Sequence, residues 1–179
     1  MTENIAIKVT NIIYGNEDIE IVFDDTTIKF YVSYMGREFL TTLILVAEEL
    51  PEYGHTNVTF LDEPGYMKVS FEKCEGSDGL SIDIETEKRM PEDAQDPVKY
   101  HFVTRYEVFK AAVIKAALDV LKVYGLVGFM HSWLDRNTVF PVGELLSLMG
   151  IGSVFDGESE SYRSSIKDEL QLLMFAIDS

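Results

Sequence analysis

Residues 19–36 read IEIVFDDTTIKFYVSYMG, and the period of their apolar positions decides the fold class. Ile19, Ile21 and Phe23 recur at every second residue, with Glu20 and Asp24 out of phase. After Asp24-Asp25-Thr26 the same period resumes as Ile28, Phe30, Val32 and Tyr34, interleaved with Thr27, Lys29, Tyr31 and Ser33. Successive side chains of a strand point to opposite faces, so each run reads as a half-buried strand and the polar triplet as a hairpin. Upstream, Ile5, Ile7 and Val9 alternate with Ala6, Lys8 and Thr10, and Gly15-Asn16 supplies a second hairpin.

Downstream the period changes. Phe39, Leu40, Leu43, Val46, Ala47 and Leu50 form a helical stripe, widened by Ile44 and Leu45 and closed by Pro51. Strands resume at Val58–Leu61, and Pro64-Gly65 suits a type II turn. Met67, Val69 and Phe71 point inward from the next strand. Past the loop at 76–79, Leu80, Ile82 and Ile84 do the same, with Asp83, Glu85 and Glu87 outward. Residues 88–97 (KRMPEDAQDP) read as a polar loop, and a last strand runs from Val98 to Val103.

Thr104-x-x-Glu107 has the form of a capping box and opens a long helix to about Tyr124, with Gly125 as its end. Short helices are expected at 126–135 and 142–149. A terminal helix spans Tyr162 to Ile177, with Tyr162, Ile166, Leu170, Leu173 and Ile177 as its apolar stripe. The expected fold is α+β. It is an antiparallel sheet of six or seven strands with helices packed on one face and a small helical C-terminal cap. Residues 1–125 form the sheet-plus-helix core and 126–179 a helical extension of the same domain.

The charge is lopsided. Of a net −16, residues 1–97 carry −14, from 21 acids and 7 bases, while residues 98–179 carry 10 acids and 8 bases. Such a chain repels phosphate backbones and anionic lipid, so nucleic acid and membranes are disfavoured and a basic protein is an allowed partner. The single Cys74 cannot form an internal disulfide, and no signal-peptide pattern opens the sequence; both fit a cytoplasmic protein. No apolar run approaches the ~20 residues of a membrane span.

No catalytic centre is legible. His55, His101 and His131 form no metal-spaced pair with one another or with Cys74. His131, Ser132 and Asp135 lie too close together on one helix to converge as a triad, and His131–Asp135 is an ordinary i,i+4 pair. Gly150-Ile151-Gly152 lacks the third glycine of a dinucleotide loop, where Phe155 stands. Asp156-Gly-Glu158-Ser-Glu160 starts like a calcium loop, but Ser161 and Lys167 occupy its glycine and bidentate-acid positions. We therefore expect no catalytic residues, no metal site and no cofactor. Trp133 is assigned to core packing.

Four segments together resemble a group of small acidic bacterial α+β proteins of unknown biochemistry, some of them associated with toxin–immunity neighbourhoods. They are IEIVFDDTTIKFYVSYMG, FLTTLILVAEELPE, FLDEPGYMKVSFEK, and YEVFKAAVIKAALDVLKVYGLVGF followed by Ser132-Trp133. The resemblance spans residues 18–133 and carries no site residues with it. It implies an immunity- or inhibitor-like role.

The function expected from these readings is a non-enzymatic acidic module that binds a basic protein. Glu20, Asp24, Glu72, Asp83 and Glu85 are its partner-binding candidates, because strand alternation turns them outward. Other acids, among them Asp62, Glu63, Glu92, Asp93 and Asp96, fall in loops. The alternatives are an enzyme using scattered carboxylates and a homo-oligomeric structural subunit built on a sheet edge or the terminal helix.

Overall fold

The computed structural model describes residues 2–33, 38–62, 65–87, 97–133, 138–151 and 166–178. Strands β1 (Ile5–Ile13), β2 (Asn16–Phe23) and β3 (Thr26–Val32) form one antiparallel sheet in sequence order. Its inner face carries Ile19, Ile21, Phe23, Ile28, Phe30 and Val32, all buried as their period requires. The β1–β2 turn falls one residue before the expected Gly15-Asn16. Tyr14 (φ 53°) and Gly15 (φ 79°) both adopt the left-handed conformation of a type I′ turn, which matches the twist of a hairpin. A bulge between Val9 and Asn11 shifts the phase of β1, so that Ile7 and Ile12 both reach the core.

The second sheet is an antiparallel meander of β4 (His55–Asp62), β5 (Gly65–Lys73), β6 (Gly79–Glu87) and β7 (Val98–Arg105). The seven strands are thus two sheets of three and four, and the single six- or seven-stranded sheet is corrected. The reason lies in helix α1 (Phe39–Tyr53), which sits between β3 and β4 in the chain. It buries Phe39, Leu40, Leu43, Ile44, Val46, Ala47 and Leu50. One flat sheet cannot cover a helix that is apolar on so many sides. Phe39 bridges the two sheets, its ring 5.4 Å from Phe30 and 5.0 Å from Phe60. The sheets meet at their margins. Ser33 N–H donates to Leu61 C=O (2.7 Å), Thr2 N–H donates to Val103 C=O (2.6 Å), and Phe23 stacks on Phe102 at 3.8 Å. Ser33, expected outward, is buried at the first of these junctions.

Pro51 does not stop α1 where expected. It lies in the last turn, and Gly54 (φ 75°) closes the helix by donating to Leu50 C=O. A proline has no N–H for the carbonyl four residues earlier, which here is Ala47. The Tyr106 hydroxyl takes that carbonyl instead, at 2.7 Å.

Helix α2 (Tyr106–His131) packs on β1, β7 and α1, and its helical dihedrals break at Gly125 (φ 63°, ψ 177°). Its two halves match the expected long and short helices, although the expected end at 135 lies outside the described residues. The capping box does not form. Thr104 is the last inward residue of β7, and its hydroxyl donates to Thr2 C=O (3.0 Å), leaving Arg105 as N-cap. Helices α3 (Val142–Leu148) and α4 (Ile166–Asp178) follow. Phe129, Trp133, Phe140, Leu145, Leu146 and Leu172 belong to the same core cluster as the sheets. α4 turns a different face inward from the one expected. Leu172 and Ala176 are buried, whereas Leu170 and Ile177 of the expected stripe are exposed. Among the described residues, no helix is long and apolar enough to cross a membrane.

Candidate functional site

The five acids proposed from alternation lie on different sheets, and four of them have partners within the chain. Glu20 stands between Lys8 and Lys29 on the flanking strands, with contacts of 2.8 Å and 3.1 Å. The hydrogen bond from Lys8, then that from Lys29, holds its carboxyl below the usual glutamate range. Asp24 adopts a left-handed turn conformation (φ 47°), and its Oδ1 accepts the N–H groups of Glu3 (3.2 Å) and Asn4 (3.0 Å). That carboxylate pins the start of the chain.

On the four-stranded sheet the outward rows run across the strands as Asn57–Ser70–Asp83–His101 and Thr59–Lys68–Glu85–Lys99. Asp83 Oδ1 meets His101 Nδ1 at 2.7 Å. Glu85 accepts from the Tyr66 hydroxyl (2.9 Å) and pairs with Lys99 (3.1 Å), which lowers its pKa. Hydrogen bonds to Glu87 and then Glu85 push the Tyr66 phenol up to about 12. Glu72 faces His55 across the ladder. On this face Asp83 thus stands beside His101, and Glu85 between Lys68 and Lys99. Opposite charges placed directly across strands attract one another and mute the outward field.

Acids without such partners gather elsewhere, at the C-terminal end of α1. Glu48, Glu49 and Glu52 lie in its second half, and the helix has no basic residue in its last turn. Negative charge near a helix C-terminus adds to the negative end of the helix dipole, an unfavourable placement. Glu52 and Glu75 line one cleft of about 490 Å³, together with Lys73 and Gly54. Tyr106 ties the same corner to α2. Its phenol pKa is raised by burial and then by the charges of Glu107 and Glu48, and its N–H donates to Asp78 C=O (2.8 Å). Among the described residues, none of Glu48, Glu49, Glu52, Glu75 and Glu107 has an ion-pair partner.

A third set of carboxylates was not foreseen. Glu17 lies on β2 in phase with Ile19, Ile21 and Phe23, and is 0% exposed. Its Oε2 accepts the Phe39 N–H at 2.7 Å. Glu38, the N-cap of α1, accepts Leu40 N–H at 2.8 Å and Thr41 N–H at 2.6 Å. Two carboxyl groups thus take three of the four amides that a helix leaves unpaired at its start. Burial, and next the charge of Glu38, raises the Glu17 carboxyl well above the usual range, and a side-chain hydrogen bond joins the two acids. Burial raises Glu38 too, against the hydrogen bonds from Thr41 and Leu40 that favour its charged form. Two adjoining carboxyls disfavour each other's ionisation, so the second proton of the pair is lost less readily than the first.

This pair has the unequal environments of an acid–base couple, but Glu17 is closed off from any ligand. Glu17 is enclosed, and its Oε2 and both oxygens of Glu38 are committed to backbone amides. Glu38 alone borders open space, a cleft of about 410 Å³ shared with Thr41, Thr42, Leu45, Glu49, Thr56 and Val139. The sequence signal for Glu17 was its phase. Two residues before Ile19, it falls on the buried face of the strand.

The remaining candidates resolve simply. Ser132 caps α2: its hydroxyl donates to Gly128 C=O (3.0 Å) and its own carbonyl accepts Gly15 N–H (2.8 Å). Asp135, the residues after Ile151 in the glycine-rich stretch, and the 156–161 acidic loop lie outside the described residues. Among the described residues no cluster of three His, Cys, Asp or Glu side chains is placed to hold a metal. Comparison with family models, with curated proteins and with solved structures finds no match to this chain.

Proposed function

We propose that the chain is a non-enzymatic protein-binding module whose partner is a basic protein, in the manner of an immunity or inhibitor protein. The observation that carries this reading is the contrast between two acidic surfaces. The sheet faces hold their acids against lysines and histidines, while at the α1 corner Glu48, Glu49, Glu52, Glu75 and Glu107 make no ion pair among the described residues. Acids kept at the negative end of a helix oppose folding, and a basic partner would offset that opposition. Fields at physiological salt reach only ~8 Å, so the acids must lie in the contact itself. Opposite fields lift association from ~10⁵–10⁶ M⁻¹s⁻¹ toward ~10⁸ M⁻¹s⁻¹ at low salt. The resemblance of residues 18–133 to immunity-like proteins points the same way.

The test is low-salt affinity capture from the source cell with three baits: wild type, a Glu48→Lys/Glu49→Lys/Glu52→Lys variant, and an Asp83→Lys/Glu85→Lys variant. The reading expects a basic protein on the first and third baits and its loss from the second. Identical capture on all three would contradict it.

A second reading, self-association, has its own support on α4. Leu170, Met174 and Ile177 are 55%, 64% and 72% exposed on one helical stripe, more contiguous apolar surface than a lone exposed leucine. Size-exclusion chromatography with light scattering tests it, and a stable monomer at high concentration rules it out.

A further inference from the structure

We propose that Glu17 and Glu38 form a single-proton clasp that seats the N-terminus of α1 on β2, so that this attachment loosens as pH rises. Glu17 joins β2 to the start of α1: its Oε2 accepts Phe39 N–H, and its carboxyl interacts with that of the N-cap Glu38. The other oxygen of Glu17, Oε1, is buried and receives no hydrogen bond. It is the Glu17 oxygen left free to carry a proton. In that state the pair bears one charge, all its buried oxygens are used, and three backbone amides are satisfied.

With the proton removed, two negative charges adjoin, one of them on the fully enclosed Glu17. Among the described residues, the groups facing Glu17 offer no relief. On the flanking strands its ladder partners are Ile12 and Val32. From α2 comes the Tyr124 hydroxyl, which accepts Ile12 N–H at 2.9 Å. From α1 come Glu38 itself and, on the same cleft, Glu49. Among the described residues no lysine, arginine or histidine is among the groups that act on the Glu17 carboxyl. The relief left is physical separation: Phe39 N–H leaves Glu17, and the first turn of α1 lifts from β2. Thr41 and Thr42 of that turn wall the cleft beside Glu38, so the shape of the cleft follows the same proton. This clasp is independent of whether the α1 acids meet a basic partner.

Amide hydrogen exchange against pH, corrected for intrinsic rates, reads the clasp directly. In the wild type the protection of Phe39, Leu40 and Thr41 should fall with rising pH by up to about tenfold per pH unit, the limit for one linked proton. Protection of Ile44 and Val46 should hold. In Glu17→Gln the amide replaces the acid proton with a permanent donor to Glu38, so protection of the same first turn should stay level over that range. Flat protection of the first turn in the wild type overturns the clasp, whether or not the variant folds. So does a variant that loses protection with pH as the wild type does.

Discussion

Glu17 and Glu20 lie three residues apart on β2 and behave as opposites. Glu20 points outward between two lysines, and its pKa falls. Glu17 points inward against the start of α1, and its pKa rises. Residue type and strand are the same, so the difference comes from the parity of position alone. Parity sets what each carboxylate meets: solvent and ammonium groups on one side, apolar walls, backbone amides and a second acid on the other. It also sets what each does for the protein. Glu20 decorates a face, whereas Glu17 fixes where a helix begins.

The sharpest way to break the comparison is to truncate each side. Glu17→Ala leaves the buried Phe39 N–H without an acceptor, and should cost about 1–3 kcal/mol in denaturant unfolding. A cost below the scatter of the measurement would mean that water or another group satisfies that amide. Tyr106→Phe tests the second support of α1 by stripping Ala47 C=O of its donor, with an expected loss of about 1 kcal/mol. Gly54→Ala is expected to cost about 1 kcal/mol or slightly less. A Cβ there meets nothing within 4 Å, so the cost is that of a left-handed backbone (φ 75°) alone. Glu20→Gln is the smallest change: at neutral pH it should leave the unfolding midpoint nearly unchanged, since exposed ion pairs contribute little.

The pH dependences should run in opposite directions. The contribution of Glu20, whose folded pKa is lowered, is present above the ordinary glutamate range and is lost as pH falls through the lowered value. That of Glu17, whose folded pKa is raised, is complete below the ordinary range and is lost as pH rises through the raised value. Removing Glu20 should therefore flatten the acid limb of the stability profile, and Glu17→Gln the loss of stability as pH rises from the ordinary glutamate range through the raised value.

The same parity explains what the sequence made legible. The alternation from Ile19 to Val32, and again from Met67 to Ile84, gave the inner faces of both sheets residue by residue. The break at Gly125 was readable because a left-handed residue ends helical dihedrals locally. The division into two sheets was not readable, since pairing between β3 and β4 depends on what α1 needs around it and not on either strand. The α4 face failed for a related reason. Leu170 and Ile177 of its expected stripe lie outward, and Leu172 and Ala176 pack against its neighbours. The capping box at Thr104 was lost to a residue a hundred positions away, Thr2, whose carbonyl takes the hydroxyl. Charge misled in the same manner. Outward position identified Asp83 and Glu85, but their bases, His101 and Lys99, come from a neighbouring strand.

The central claim is that one β-strand carries two glutamates of opposite titration. A ¹³C NMR titration of the side-chain carboxyls, with Glu17 and Glu20 resolved in one sample, measures it most directly. The account predicts that Glu20 titrates below the ordinary glutamate range and that Glu17 is still protonated well above it. Glu17 found ionised at or below the ordinary range, alongside Glu20, would contradict it.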